Sequence, residues 1–268
     1  MNRVSHVRLG WCWLLITSCF ATSPTLMAEP NAQDDPVTEP APAGELELEL
    51  EHEPQEPPWL PKPEGAKAMP KPHRVWIDTH RKQVFVDGYV SLNEGLLEMF
   101  ACTSGTKEHE SIVAVYCSAQ IVHAALLAVG AEVGHPVRWD PEFEPPTGTE
   151  IAIEVRWLDG AGKWKSMPAQ RWLKDLNTEE TMAHPWVFAG SGFWKDEETG
   201  KEYYLAESGD FICVSNFSSA TLDIPVESSQ ANDGLLFEAY TKNIPAVGTP
   251  VRLVLKPKLT EEKPKQPK

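Results

Sequence analysis

Cys102, His109, Cys117 and His123 follow one another at the spacing Cys-x6-His-x7-Cys-x5-His, with Lys107, Glu108 and Glu110 around the first histidine. Thiolate and imidazole are the donors that zinc prefers, and four of them complete a tetrahedral site. The tight CxxC or HxxxH pairs that make such sites recognisable are missing from this spacing, so the same residues also fit other chemistries. Cys102 and Cys117 can close a disulfide over a loop of about 15 residues, worth ~3 kcal/mol in the chain-entropy view, or stand as two buried thiols. His109 and Glu110 in a glycine-containing loop can exchange protons with a ligand, or form the solvated tip of a hairpin with Lys107 and Glu108. No nucleophile accompanies them, because Ser104 and Ser111 lack the GxSxG context. His123 lies in an aliphatic run, where a hydrogen-bonded core histidine competes with a ligand. Cys213, within FICV, reads as a small buried hydrophobe.

Two strands and a helix are needed to position this group. Leu96–Cys102 and Ser111–Cys117 read as a hairpin centred between His109 and Glu110, which sets Cys102 opposite Cys117. Ser118 is an N-cap and Gly130 a stop for a helix over 118–130. Its residues Ile121, Val122, Ala124, Ala125, Leu126, Leu127 and Val129 leave little polar face, so it is expected to be buried against a sheet. Upstream, Val75–Asp78 and Val84–Val90 flank a polar turn. Downstream, Glu150–Leu158 alternates and returns through Asp159-Gly160-Ala161-Gly162 into Lys163–Ala169, a hairpin. Residues 171–175 fit either a strand or a helical turn. Residues 185–216 read as a meander, and Val251–Leu255 as a closing strand. The fold class is therefore α+β: a strand-rich single domain of antiparallel hairpins and a meander, with one buried helix.

Aromatic residues suggest a second kind of site. Trp194, beside Gly190-Ser191-Gly192 and an acidic turn, is the tryptophan expected to be exposed, and an exposed indole on a strand can stack a sugar. Trp157 and Trp164 flank the 159–162 turn and read as cross-strand core packing.

The ends carry a different message. Arg3 and Arg8 precede the apolar run WCWLLITSCF, the pattern of a secretory signal and too short to span a bilayer. Residues 1–28 are read as a signal peptide cut after Ala28. A lipoprotein signal over 1–18 is the other reading, with Cys19 as the lipid anchor. Residues 29–72 hold eleven of the twenty-four prolines and the run GELELELEHEPQEPP, so they are expected to form a disordered acidic linker, in which short apolar insertions such as Trp59-Leu60 could dock. The globular domain is placed at 73–256 and a disordered tail at 257–268. The net charge of −15, spread over arm and domain with no basic stripe, argues against nucleic acid as a partner.

The runs GTKEHESIVAV (105–115), VHAALLAVG (122–130), PWVFAGSGFW (185–194), GDFICVSNF (209–217) and VGTPVRLVL (247–255) resemble the YdjY-domain family of exported bacterial proteins. The resemblance covers nearly the whole folded part and implies no established activity. His109, Glu110 and His123 match the family's pattern without acquiring roles from it. A ferredoxin-like label attached to that family implies cysteine-held iron–sulfur clusters. The domain has only Cys102, Cys117 and Cys213, one short of four, so the label is not carried over. The expected function is a non-enzymatic module that binds a protein or small ligand, exported to the periplasm or envelope and tethered by its linker. Membrane contact is expected only through the lipid anchor, and no cofactor is expected. The alternative is a metal-binding or redox protein, zinc for example, using Cys102, His109, Cys117 and His123. A hydrolase built on His109 and Glu110 is a third reading.

Overall fold

Short apolar runs bounded by polar turns draw the first strands. In this computed structural model, which describes residues 59–228 and 234–259, β1 (Lys67–Ala68) pairs with β2 (Val75–Asp78), and β2 pairs with β3 (Gln83–Val90), all antiparallel. β4 (Met99–Thr103) and β5 (Ser111–Val115) follow, then helix α1 (Ala119–Ala128). The long hairpin is β6 (Glu150–Leu158) with β7 (Trp164–Pro168), as its alternation predicts. The turn closes where Asp159 accepts hydrogen bonds from the backbone of Ala161 and Lys163. Residues 169–172 form a 3-10 turn that runs into β8 (Leu173–Asp175), so both readings of that stretch hold in part.

The expected meander is not one. β9 (Trp186–Val187) joins β6, β10 (Phe193–Lys195) and β11 (Glu202–Tyr204) pair only with each other, and β12 (Ile212–Cys213) joins β4. β13 (Phe237–Ala239) pairs with β8. β14 (Pro250–Pro257) does not close an edge but lies in the middle of the sheet, between β3 and β6. The large sheet runs β12-β4-β5-β3-β14-β6-β7, with β1–β2 on the β3 side and β9 on β6. With α1 the only α-helix among the described residues, the class is α+β and strand-rich.

A larger correction concerns β4 and β5. They are parallel, with Met99 beside Ser111 and Cys102 beside Ala114. A parallel pair ordinarily needs a dozen or more connecting residues, which is why the short 104–110 segment reads as a hairpin. Here that segment runs back along β4 and starts β5 beside Met99. Cys102 therefore does not face Cys117, and both are free thiols; the expected disulfide is overturned.

The two faces of the sheet differ. Val84 and Val86, Ile153 and Val155, and Leu253 and Leu255 point inward to a core that also holds Phe100, Trp172, Trp186 and Phe188. Helix α1 adds Val122, Ala125 and Leu126, but Leu127 is exposed, so the helix is buried on one side only. Ser118 caps it as expected, accepting from the Ile121 N–H, while the Glu207 carboxylate takes the N–H groups of Ala119 and Gln120 at 3.1 and 2.9 Å. A carboxylate there also favours the helix dipole. On the other face, Trp76, Phe85 and Val254 pack under Ala66. Gly88 lets β3 approach β5, since a Cβ there would meet the Ala114 carbonyl oxygen at 2.2 Å.

The cover on that outer face is the chain's own residues 59–68, which the composition assigns to the disordered linker. Leu60 and Ala66 are buried, and the Trp59 ring sits edge-on to Tyr116 at 4.8 Å and 4.0 Å from the Arg74 guanidinium. Proline and acid content hide a strap whose few apolar residues find a matching surface. Ordered chain also continues past the expected end, where Lys258 pairs with Glu150. The signal peptide, Cys19, the linker up to residue 58 and the tail from residue 260 lie outside the described residues. Among the described residues no helix is long and apolar enough to cross a membrane.

Candidate functional site

Lys107 organises the 104–110 loop. Its Nζ faces Asp210 Oδ1 at 3.1 Å, Glu110 Oε1 at 3.3 Å and Glu98 Oε2 at 3.6 Å, and lies 4.6 Å from the centre of the Phe217 ring. Burial alone would lower its pKa, but Asp210 and Glu110 outweigh that and raise it. Burial, then the neighbouring Glu110, pushes the Glu98 carboxyl up. Asp210 is buried and also accepts from the Ser208 and Ser219 hydroxyls. Gly209 keeps φ at +117°, and a Cβ there would run into Thr106 and Lys107. Lys107 is thus a clasp between this loop and the 208–210 turn, and its three carboxylates leave it no capacity for a ligand.

The other expected residues are scattered. His109 points out of the loop, its side chain 76% exposed, with Nε2 3.9 Å from Glu110 Oε2. His123 is half-buried at the margin of the core. Its ring lies against Phe188, and Nδ1 is 2.9 Å from the Tyr204 hydroxyl, which in turn reaches the Gly190 carbonyl and Thr221 at 3.1 Å. Burial pushes the His123 pKa down and that of Tyr204 up to about 12. Cys102 is fully buried on β4, and Cys117 is half-buried ahead of α1. The four residues of the Cys-x6-His-x7-Cys-x5-His spacing are not brought together, and among the described residues no group of three or more His, Cys, Asp or Glu side chains is placed to hold a metal ion. Trp194 is exposed as expected, 54% accessible, with its ring beside Tyr203 on the β10–β11 hairpin.

The concave surface lies elsewhere, on the outer face of the sheet beside the strap. One cleft of about 610 Å³ is walled by strap residues 61–64, the β2–β3 turn and the β6–β7 hairpin. A second, of about 660 Å³, lies towards β5 and is lined by Trp59, His73, Arg74, Ser104, Tyr116 and Cys117 among others. A charged row crosses the strands into the first cleft: Asp87, Arg252, Arg156 and Ser166 are successive partners on β3, β14, β6 and β7, and the last three line it. Trp164 is not in the core, contrary to expectation. The register pairs it with Leu158, and it is Trp157, paired with Lys165, that turns inward against Trp172. Trp164 therefore faces out, 48% exposed, at the edge of the first cleft.

None of His109, Glu110, Lys107 and Trp194 lines these two clefts. The readable signal for the outer face is the single charge inside an apolar strand, Asp87 in VFVDGYV and Arg252 in PVRLVL. Such a charge needs a partner on the same face, but the row itself depends on which strands pair. A family model described as the YdjY domain matches residues 75–256 of this chain. No curated protein and no solved structure matches it.

Proposed function

The chain belongs to the YdjY domain family, and we propose that its domain is a non-enzymatic ligand-binding module whose binding surface is the outer face of the large sheet, on either side of the strap. The observation that carries this reading is the incomplete cover. Residues 59–68 bury the middle of that face and leave a cleft on each side, of about 610 and 660 Å³, within the range of small-molecule sites. The absence of a nucleophile from the expected acid–base pair, and the exposure of His109, support binding over turnover. The domain is exported and held off a surface by its acidic arm; the charged start and short apolar run ahead of that arm support this part.

A fragment screen on the full chain by ligand-observed NMR tests the reading, with Ser166→Trp and Ser104→Trp as variants. Both serines are exposed and line one cleft each, so an indole fills the cleft without touching the core. Fragments are expected whose binding one of the two substitutions abolishes, and which are recovered chemically unchanged after prolonged incubation. Hits indifferent to both substitutions, no hits at all, or steady consumption of a bound fragment would overturn it.

A further inference from the structure

The first cleft concentrates positive charge in a chain of net charge −15. Lys62, Arg81, Arg156, Lys165 and Arg252 line it, against Glu64 and Glu154. Strand register produces this. Arg252 on β14 lies opposite Asp87 on one side and opposite Arg156 on the other. Two like charges directly opposed on neighbouring strands are destabilising, so their retention on an open face calls for something that offsets the repulsion.

The acids present do so only for some of the cations. Arg252 is held by both oxygens of Asp87. Arg156 gives its Nε to Glu154 at 2.6 Å, and Glu154 also takes Lys256. Burial would raise the Glu154 pKa, but the hydrogen bonds from Arg156 and Lys256 outweigh it and hold the carboxyl below its ordinary range. Glu154 is therefore an anion already engaged. The terminal nitrogens of Arg156 have no hydrogen-bond partner among the described residues, and its side chain is 35% exposed. Lys62 makes neither hydrogen bond nor ion pair among them. Arg81 is exposed, with no acid nearer than 3.7 Å, while Lys165, between Trp164 and Ser166 on β7, belongs to the opposite face and turns to Asp159 at 3.5 Å.

A flat wall completes the cleft. Trp164 lies two residues from Ser166 on β7, on the same face, so its indole borders the space above Arg156. Phe85, buried, is also part of the lining.

We infer that this cleft binds an anionic ligand, its carboxylate or phosphate group held by Arg156 and Lys62 and its apolar part laid against Trp164. A guanidinium with free terminal N–H groups matches two oxygens of either anion. A lining in which positive charge exceeds negative draws in the opposite charge. A neutral sugar would instead need donors and acceptors in pairs, and this lining is dominated by donors. The inference rests on the outer face being a binding surface and adds the charge class of the ligand.

Calorimetric titration of the full chain with 1-naphthyl phosphate, 1-naphthoate and 1-naphthalenemethanol tests it. Both anions are expected to bind one per chain, the neutral alcohol at least tenfold more weakly. The ratio between the two anions separates a phosphate site from a carboxylate site. Arg156→Gln/Lys62→Gln is expected to weaken the anions at least tenfold. Lys195→Gln/Lys201→Gln removes the same charge from the β10–β11 hairpin, outside the cleft, and is expected to change them less than twofold. Equal losses in the two double variants, or anion binding untouched by Arg156→Gln/Lys62→Gln, would overturn the inference. Failure of all three probes at millimolar concentration would overturn it too. If the alcohol binds as well as the anions and Ser166→Trp abolishes all three, the anion inference falls while the binding face stands. Melting temperatures of both double variants within a few degrees of the parent exclude unfolding as the cause.

Discussion

Arg252 lies directly opposite Asp87 across β14 and β3 and grips both of its carboxylate oxygens, Nε to Oδ1 at 2.6 Å and Nη2 to Oδ2 at 3.0 Å. Arg74 adds a third bond to the same carboxylate, at 2.7 Å. Both guanidinium groups lie near the Trp76 ring, and Arg74 also lies 4.0 Å from the Trp59 ring. One buried carboxylate thus ties the strap, β3 and β14 together.

The stability of the domain is expected to depend heavily on that carboxylate. Asp87→Asn leaves two largely buried arginines facing a neutral amide. Removing one partner of a buried ion pair costs about 3–5 kcal/mol, because the remaining charge is left without compensation. Urea denaturation of the two chains side by side checks it. A loss below about 1 kcal/mol would show the arginines solvated and the strap loosely held.

Lys107→Met separates the clasp from a binding role by pH. The raised lysine pKa contributes stability that is fully present below the unfolded value, about 10.4, and is lost only as the pH rises through the folded one. The parent therefore keeps this contribution throughout the neutral range. In the variant, Glu98, Glu110 and Asp210 face one another without a cation. The expected cost is about 1–3 kcal/mol at pH 8, shrinking towards pH 4 as the Glu98 carboxyl, whose pKa is raised, takes up a proton. A gap between parent and variant that stays flat from pH 4 to 8 would be inconsistent with the clasp.

Asp223 offers a second pH test in the core. It accepts from the Ile224 N–H at 2.8 Å and Asn216 Nδ2 at 3.2 Å, yet burial pushes its carboxyl up to about 7. A carboxyl with a raised folded pKa binds its proton more tightly in the native state, so stability falls as pH rises from about 4 through 7. Asp223→Asn removes that slope. Relative to the parent, the variant should gain on the order of 3 kcal/mol between pH 4 and pH 8. Parallel stability curves for the two chains would show that Asp223 is ionised throughout.

Elements whose cause is local were legible in the sequence. Alternation over Ile151, Ile153, Val155 and Trp157 draws β6, and Ser118 with its apolar run starts α1. What was not legible depends on distant partners. The parallel pairing of β4 and β5 rests on a loop held by Lys107 to Asp210, far along the chain, and no local pattern announces it. The strap at 59–68 lies in a proline-rich, acidic context, and only Trp76, Phe85 and Val254 give Ala66 somewhere to go, as Tyr116 does for Trp59. Trp164 differs from its expected place by one register step, which in a strand moves a side chain to the other face. The charged row is hidden for the same reason: Arg156 and Arg252 become neighbours only once β14 is known to lie beside β6.

The parallel register makes a chemical prediction about the cysteines. Cys102 neighbours Ala114, and Cys102, Cys117 and Cys213 are all free. Burial pushes all three thiol pKa values up. The thiolate is the reactive form, so a raised pKa and restricted access both slow alkylation. Iodoacetamide at pH 8, followed by peptide mass analysis, is expected to label each of the three at least tenfold more slowly in the folded chain than in urea. The peptides holding them should have the same masses with and without prior reduction. A peptide pair joined through Cys102 and Cys117 would overturn the register of β4 and β5, because antiparallel strands 96–102 and 111–117 are what set those two side chains face to face.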